Sequence, residues 1–145
     1  ECEWEGAAWG GIDREQHLDY VIGVPPFTAA FTSREVNFDG NHPLDAKKSE
    51  CREKTVPVRG DGFQPNGFGL WHMNGNVWEW CGDWYTGYSS APQSNPTGPA
   101  SGSYRVLRGG NWDEYSNFVR SSDRPYASPG YTLHSIGFRV ARNPQ

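Results

Sequence analysis

The sequence predicts an α+β fold of short strands, few helices and long loops, and three observations carry that expectation. Only 35% of the residues are apolar while 14% are aromatic, so the core must rest on a few large rings. The 18 glycines and 11 prolines supply turns at a density that suits loops better than a helical bundle. Finally, Gly67 to Trp84, GFGLWHMNGNVWEWCGDW, sets four of the seven tryptophans among glycines and one buried-looking acid, Glu79. Glycine lets the backbone turn at positive φ, and each Trp brings a large apolar body with one N–H that needs a partner. The segment is expected to form a core corner, with Trp78 or Trp80 buried. At 145 residues the chain fits one domain over 1–145, large enough to enclose a core.

The elements follow in order. Glu1 to Ala8 places Cys2, Trp4 and Ala7 about a helical turn apart, which predicts the end of a helix stopped by Gly10 and Gly11. Asp13 to Lys54 is rich in Pro, Asn, Asp and charge, with turn chemistry at Asp39, Gly40 and Asn41, and reads as an extended surface excursion. Thr55 to Val58 is expected as a short strand, and Asn76 to Trp84 as a strand or irregular core segment. Tyr85 to Gly102 is a loop of Ser, Pro, Asn and Gly. Tyr104 to Leu107 and Phe138 to Val140 read as strands. Between them Asp113 to Ser135 shows neither helical nor alternating periodicity, and so long an irregular stretch inside a compact domain points to function or disorder.

Charge and composition exclude several classes. A net charge of −4 without a basic run offers nothing to hold a phosphate backbone, so nucleic acid is not an expected partner. No apolar run approaches the roughly eighteen residues of a membrane span, so no membrane insertion is expected. Cys2, Cys51 and Cys81 are odd in number and widely spaced, which suits neither a disulfide framework nor a zinc site. Cys2 and Cys81 are expected as small buried hydrophobes and Cys51 as exposed. The histidines at 17, 42, 72 and 134 lack metal-ligand spacing, and no nucleophile-elbow or phosphate-loop motif is present. Arg105, Arg108, Arg139 and Arg142 are expected to pair with Asp83, Glu79 or loop carbonyls, since a guanidinium satisfies several acceptors at once.

Four segments together, ECEWEGAAWGG at Glu1 to Gly11, the Gly67 to Trp84 corner, YRVLRGGNW at Tyr104 to Trp112 and IGFRVAR at Ile136 to Arg142, closely resemble the formylglycine-generating enzyme family, the sulfatase-modifying-factor domain. The resemblance covers almost the whole chain and implies a C-type-lectin-like fold, with the domain's N-terminal part preceding Glu1. In that family the loop matching His72 to Glu79 holds calcium through its first side chain, the backbone oxygens at Gly75 and Val77, and the acid at Glu79. Imidazole nitrogen is a poor substitute for the hard oxygens calcium takes, so Glu79 either serves calcium or accepts hydrogen bonds from backbone N–H groups. A second and weaker family site falls on Asn37, the carbonyl of Phe38 and an acid near Glu50. Calcium is thus the one cofactor the resemblance brings, and none is required. The Glu-Pro-Asn or Gln-Pro-Asp sugar signature of calcium-dependent lectins is absent.

Family members that oxidise cysteine to formylglycine carry two cysteines, four residues apart, after the Arg-Gly-Gly-aromatic motif, and soft thiolates are what copper(I) needs. Here Arg108-Gly109-Gly110-Asn111-Trp112 leads into Asp113, Glu114, Tyr115, Ser116, Asn117 and Phe118, with no cysteine after Cys81. The oxidase chemistry is therefore not expected, and the alternative is an enzyme or accessory domain whose catalytic groups precede Glu1.

Tyr115 to Ser135 is instead rich in Tyr and Ser and lacks Lys, Glu, Gln, Met and Trp. Tyr offers large amphipathic contact at low entropy cost, and small residues adapt to it. Bracketed by RGGNW and IGFRVAR, this segment resembles the diversified region of retroelement variable proteins, whose adenine-directed mutagenesis of Asn codons cannot yield those five residue types. The resemblance implies a noncatalytic binding protein at a cell surface or on a phage particle, with a protein or other cell-surface macromolecule as partner. The implied ligand-binding positions are Asp113, Tyr115, Phe118, Ser121, Asp123, Pro125, Tyr126, Ala127, Ser128, Gly130, Tyr131, Thr132, Leu133, His134 and Ser135. Arg120, Arg124 and Pro129 read as scaffold between them.

Overall fold

The computed structural model describes residues 1–12, 31–44 and 46–141. Residues 13–30 and 45 of the expected 13–54 surface excursion, His17 among them, and Arg142 lie outside the described residues; the described part of the excursion is corrected, since Phe31, Val36 and Phe38 are core. Helix α1 spans Cys2–Ala8, as the apolar spacing predicts. Glu3 and Glu5 stand in its first turn, where carboxylates complement the helix dipole. At its other end Gly10 takes φ 61°, a left-handed turn that ends the helix without the steric cost a side chain would add. Asn66 then donates through Nδ2 to the Ala7 carbonyl at 2.8 Å.

Four strands form one mixed sheet: β1 (Trp78–Trp84), β2 (Arg105–Arg108), β3 (Tyr126–Ala127) and β4 (Ile136–Gly137). Their order is β3-β2-β1-β4. The β1–β2 and β2–β3 pairs are antiparallel and β1–β4 is parallel. A bulge interrupts β1 between Trp80 and Trp84. The segment after β2 therefore starts beside the centre of the sheet, pairs as β3 at one edge and returns as β4 at the other.

Two apolar clusters fill the interior. Trp4, Ala8, Met73, Cys81 and Val106 bury α1 against the sheet. Phe31, Val36, Phe38 and Val119 form the second, with Phe31 and Phe38 edge to face at 5.2 Å. Between them the loops are held by buried asparagines, because backbone groups that leave a ladder still need partners. Asn76 Oδ1 accepts from Val56 N at 2.9 Å and from Asn37 Nδ2 at 3.1 Å, while Asn76 Nδ2 donates to Val56 O at 3.3 Å.

That bonding corrects the expected strand at Thr55 to Val58. A side-chain amide bonds Val56 much as a neighbouring strand would, and the segment joins no sheet. The expected strand at Phe138 to Val140 lies two residues earlier, because only Ile136 and Gly137 pair with Trp78 and Glu79. Beyond them Arg139 turns onto the Glu79 carboxylate. The irregular 113–135 stretch contains a 3-10 turn at Ser116–Phe118 and the edge strand β3. Cys81 is buried as expected, whereas Cys2 is exposed and Cys51 half-buried, and all three are free. Burial pushes the Cys81 thiol up to about 11, so it is inert as a nucleophile. No helix among the described residues is long and apolar enough to cross a membrane.

Candidate functional site

The segment from Asp113 to Ser135 is the candidate site, and its main chain is pinned at nearly every turn. Gly110 begins it at φ 77°, where a Cβ would come within 2.5 Å of Val119 Cγ1, so glycine alone permits this close crossing. Asn111 Oδ1 accepts from Asp113 N at 2.7 Å. The Glu114 carbonyl accepts from Asp39 N at 2.9 Å, and Ser116 N donates to His42 O at 3.2 Å. Asn74 Nδ2 donates to Val119 O at 2.6 Å and to Ser121 Oγ at 3.3 Å.

Arg108 is the central clamp. It is fully buried, and its NH1 donates to the carbonyls of Ser121 and Asp123, both at 2.9 Å. Its NH2 pairs with Glu5, its guanidinium lies 3.5 Å from Glu1 Oε1, and the Trp4 ring lies 5.5 Å away. Further along, Leu107 N donates to Pro125 O at 2.9 Å, and Trp78 N to Ser135 O at 2.9 Å. Arg120 Nε donates to Asn117 O at 2.7 Å. Arg124 donates to both Glu1 oxygens, at 2.5 and 2.8 Å, and to Thr86 O at 2.7 Å. Although burial pushes the Glu1 carboxyl upward, the Arg124 guanidinium holds it below the usual glutamate value.

The side chains do the opposite of the backbone. Tyr115, Phe118, Tyr126, Tyr131 and Leu133 are 40–49% exposed, and Asp113, Ser128, Gly130, Thr132 and His134 are also exposed. Asp123, Pro125 and Ala127 are half-buried. Two of the expected surface residues are corrected: Ser121 and Ser135 are each only 1% exposed. Both sit where the backbone is tied down, so their side chains point into packed interior. Three of the rings, Tyr115, Tyr126 and His134, meet partners outside the irregular segment or at its flank. Tyr115 stacks on His42 at 3.8 Å, Tyr126 meets Tyr85 at 4.1 Å and Tyr104 at 5.0 Å, and His134 meets Trp112 at 5.3 Å.

The calcium expectation meets a different arrangement at Glu79. Trp4 Nε1 donates to Glu79 Oε2 at 2.6 Å, and Arg139 donates to both Glu79 oxygens at 2.6 Å. A cation would have to displace a paired guanidinium from a carboxylate that is already satisfied. His72 turns its Nε2 to Pro57 O at 3.3 Å and its ring against Phe63 at 4.8 Å. The Gly75 carbonyl accepts from Val77 N at 3.0 Å. The His72 ring, the Gly75 carbonyl and the Glu79 carboxylate thus already have partners within the chain, an arrangement that does not fit calcium. At the second place Asn37 Oδ1 is buried without a partner, the Phe38 side chain is core and Glu50 is exposed. Among the described residues no three His, Cys, Asp or Glu side chains come together. EDTA is accordingly expected to leave the thermal midpoint unchanged in differential scanning calorimetry; a fall restored by added calcium would place Glu79 or Asn37 in metal binding.

The arginine pairing is more specific than the sequence suggests. Arg139 serves Glu79, Arg108 serves Glu5 and two carbonyls, and Arg105 donates to Gly82 O beneath its contact with the Trp84 ring. Asn74, Asn111 and Glu114 are the residues the sequence reading missed. The asparagines carried a signal, since each stands next to a glycine turn, where buried amides often replace ladder bonds. Glu114 carried none. Its carboxyl is held above the ordinary 4.5 of a glutamate by burial, with Asp113 and Asp123 adding to the rise and a Trp78 hydrogen bond opposing it.

A raised carboxylate pKa means that the folded state holds its proton more tightly than the unfolded chain. Its contribution to stability is present below the unfolded value and is lost as pH rises through the folded one. Glu114→Gln is therefore expected to melt higher than the parent near neutral pH, with the gap closing toward acid. Thermal melts across pH check this, and parallel curves would contradict it.

A fixed frame of buried arginine, asparagine and glycine thus carries an irregular, ring-bearing segment on a loop-rich fold of the C-type-lectin-like type. The chain belongs to the sulfatase-modifying factor enzyme 1-like domain family, whose model matches residues 1–144. The formylglycine-generating enzyme of Streptomyces coelicolor is 37% identical over 148 residues, covering 99% of this chain and 45% of the enzyme. The serine/threonine-protein kinase pkn1 of Chlamydia pneumoniae is 45% identical over 150 residues, covering 99% of this chain and 20% of the kinase. Among solved structures, Treponema denticola variable protein 1 superposes with a TM-score of 0.72 at 31% identity, covering 94% of this chain and 43% of that one. The chain spans less than half the length of each of these relatives.

Proposed function

We propose that this domain is a noncatalytic binding module in which residues 113–135 form a diversified recognition surface for a protein or other cell-surface macromolecule. One observation carries the reading: the backbone of this segment is bonded by buried groups of the frame, while five of its large apolar side chains stand 40–49% exposed. Exposed rings on a preorganised backbone bind at low entropic cost. They can also change without disturbing the core. The likeness to a variable protein supports the reading, and the buried Ser121 and Ser135 narrow the surface to the remaining positions.

Relatives named formylglycine-generating enzyme bring the competing reading, and the chemistry of residues 113–118 argues against it. Carboxylates and hydroxyls there cannot replace a thiolate pair for copper(I).

The test replaces Tyr115, Phe118, Tyr126, Tyr131, Leu133 and His134 together with Ser. Surface substitutions cost within about 0.5 kcal/mol each, so the variant is expected to stay folded while cell-surface pull-down of the parent's ligand is lost, because aromatic anchors dominate interface energy. Collapse of the fold would make the segment core. Formylglycine in a sulfatase-motif peptide, seen by mass spectrometry after aerobic incubation, would restore the oxidase reading.

A further inference from the structure

An asparagine or aspartate that precedes glycine can react with its own main chain, because glycine presents the least hindered backbone nitrogen to the side-chain carbonyl carbon one residue earlier. The chain has four such steps, Asp39-Gly40, Asp61-Gly62, Asn66-Gly67 and Asn74-Gly75. Ring closure needs a side chain free to swing, a glycine nitrogen without a partner and a main chain with room to rotate. The fold meets those conditions unequally.

Three of the four steps are locked. The Asp39 carboxylate accepts from Asn41 N and Asn41 Nδ2, both at 3.0 Å, and meets His42 Nδ1 at 2.8 Å, while a Cβ on Gly40 would come within 2.4 Å of Glu50 O. Asn66 is buried; its Oδ1 accepts from Phe68 N at 3.0 Å and Leu70 N at 3.1 Å, and its Nδ2 serves the Ala7 carbonyl. Asn74 is also buried and gives its amide to Val119 O and Ser121 Oγ. The nitrogen that would attack it is engaged as well, since Gly75 N donates to Gly109 O at 2.7 Å.

Asp61 meets none of these restraints. It is exposed, and among the described residues its carboxylate has neither a hydrogen bond nor an ion pair. Gly62 N has no acceptor among them either. A Cβ on Gly60 or on Gly62 would find no described atom within 4 Å, so the tip of the turn has room on both sides of Asp61. One backbone bond closes the turn, from Phe63 N to Gly60 O at 3.2 Å, the long end of the usual range. Asp61 stands at φ 53°, a sparsely populated region for a residue with a side chain, so rotating away from the turn gives up little. Phe63 is buried behind it, which confines the movement to the tip.

We propose that Asp61 is a site of spontaneous covalent modification, where the Gly62 nitrogen closes on the Asp61 side chain to give a succinimide that reopens as isoaspartate. The Gly62 nitrogen attacks Asp61 Cγ; the new C–N bond forms as the Cγ–OH bond breaks, and the hydroxyl leaves with the amide proton as water. Water then adds to either ring carbonyl. Addition at Cγ cleaves the new bond and restores aspartate, whereas addition at the main-chain carbonyl cleaves the original peptide bond and leaves Gly62 joined through Cγ. Nothing is oxidised or reduced, and solvent is the only co-reactant. The product lengthens the main chain by one carbon and frees an α-carboxylate, the group that protein-isoaspartate methyltransferases accept, so the modified turn becomes a substrate for that class of enzyme.

In the experiment the 145-residue chain is kept warm at neutral pH, digested, and its peptides sequenced by electron-transfer fragmentation, which separates isoaspartate from aspartate. Isoaspartate at position 61 is expected to exceed that at Asp39, where the chemical step is the same, by at least about tenfold, the factor that one hydrogen bond to a charged group represents. It should also exceed isoaspartate at Asn66 and Asn74. In guanidinium the gap between Asp61 and Asp39 should close and the two asparagines should overtake both, because ammonia leaves an amide more readily than water leaves a carboxylate. Asp61→Glu should lose the modification at 61 alone, since the extra methylene enlarges the ring. Methyl uptake from S-adenosylmethionine, catalysed by a protein-isoaspartate methyltransferase, should rise with incubation of the folded parent and be largely lost in Asp61→Glu. Absence of isoaspartate at 61 in the folded chain, an amount at Asp39 equal to or above it, or a gap that persists in guanidinium overturns the proposal.

Discussion

Arg108→Ala is expected to lower stability by about 3–5 kcal/mol, the cost of breaking a buried ion pair by removing one partner. Arg108 is fully buried and reaches Glu5, Glu1 and the carbonyls of Ser121 and Asp123 at once. Its loss leaves two carbonyls and a partly buried acid short of donors and opens space beside Trp4. Arg108→Lys should recover little of this, because a single ammonium cannot span the directions that a planar fork covers. Urea denaturation measures the change. A loss below about 1 kcal/mol, the scale of an exposed pair, would mean that the clamp does not hold the segment. The same variant should loosen the backbone at 121–123, visible as faster amide hydrogen exchange there than at β1.

Trp78→Ala is the second large effect, at about 3–5 kcal/mol for emptying a buried aromatic site. For a chain of this size that corresponds to a fall in the thermal midpoint on the order of 10 °C. Trp78 is buried, and its backbone N–H, which donates to Ser135 O, is kept in the variant, so the loss measured is that of the ring. Trp80 is only half-buried, so Trp80→Ala should cost clearly less. Equal losses at the two positions would contradict the register in which Trp78 pairs with Ile136 and Trp80 with Leu107. The comparison therefore reports on strand geometry as well as on packing.

Much of the framework was legible because it depends on local chemistry. The apolar spacing of Cys2, Trp4 and Ala7 with two following glycines is enough to place α1. Trp and Gly crowding around Glu79 marks the corner, and Tyr104 with Val106 marks the strand that pairs as β2 one residue later, Arg105–Arg108. The strand expected at Thr55 to Val58 failed for a nonlocal reason: its partner is the Asn76 side chain, 20 residues away. The strand expected at Phe138 to Val140 was displaced because Arg139 spends its donors on Glu79 rather than continuing the sheet.

For the candidate site, the sequence by itself determined which residue types occupy 113–135 and that no thiolate stands among them, since composition and motif spacing are properties of the chain alone. Only the tertiary structure decided which of those side chains face outward. Ser121 and Ser135 have the same surface-loop chemistry as Ser128, yet the first two are buried and the third is exposed. The difference lies in contacts made by residues distant in sequence. Asn74 bonds Ser121 across 47 positions, and Trp78 bonds the Ser135 carbonyl from the neighbouring strand. Glu79 shows the same division: its burial could be read from the tryptophans around it, but whether its charge met a cation, backbone N–H groups or a guanidinium depended on Arg139, 60 residues further along, arriving within hydrogen-bond distance.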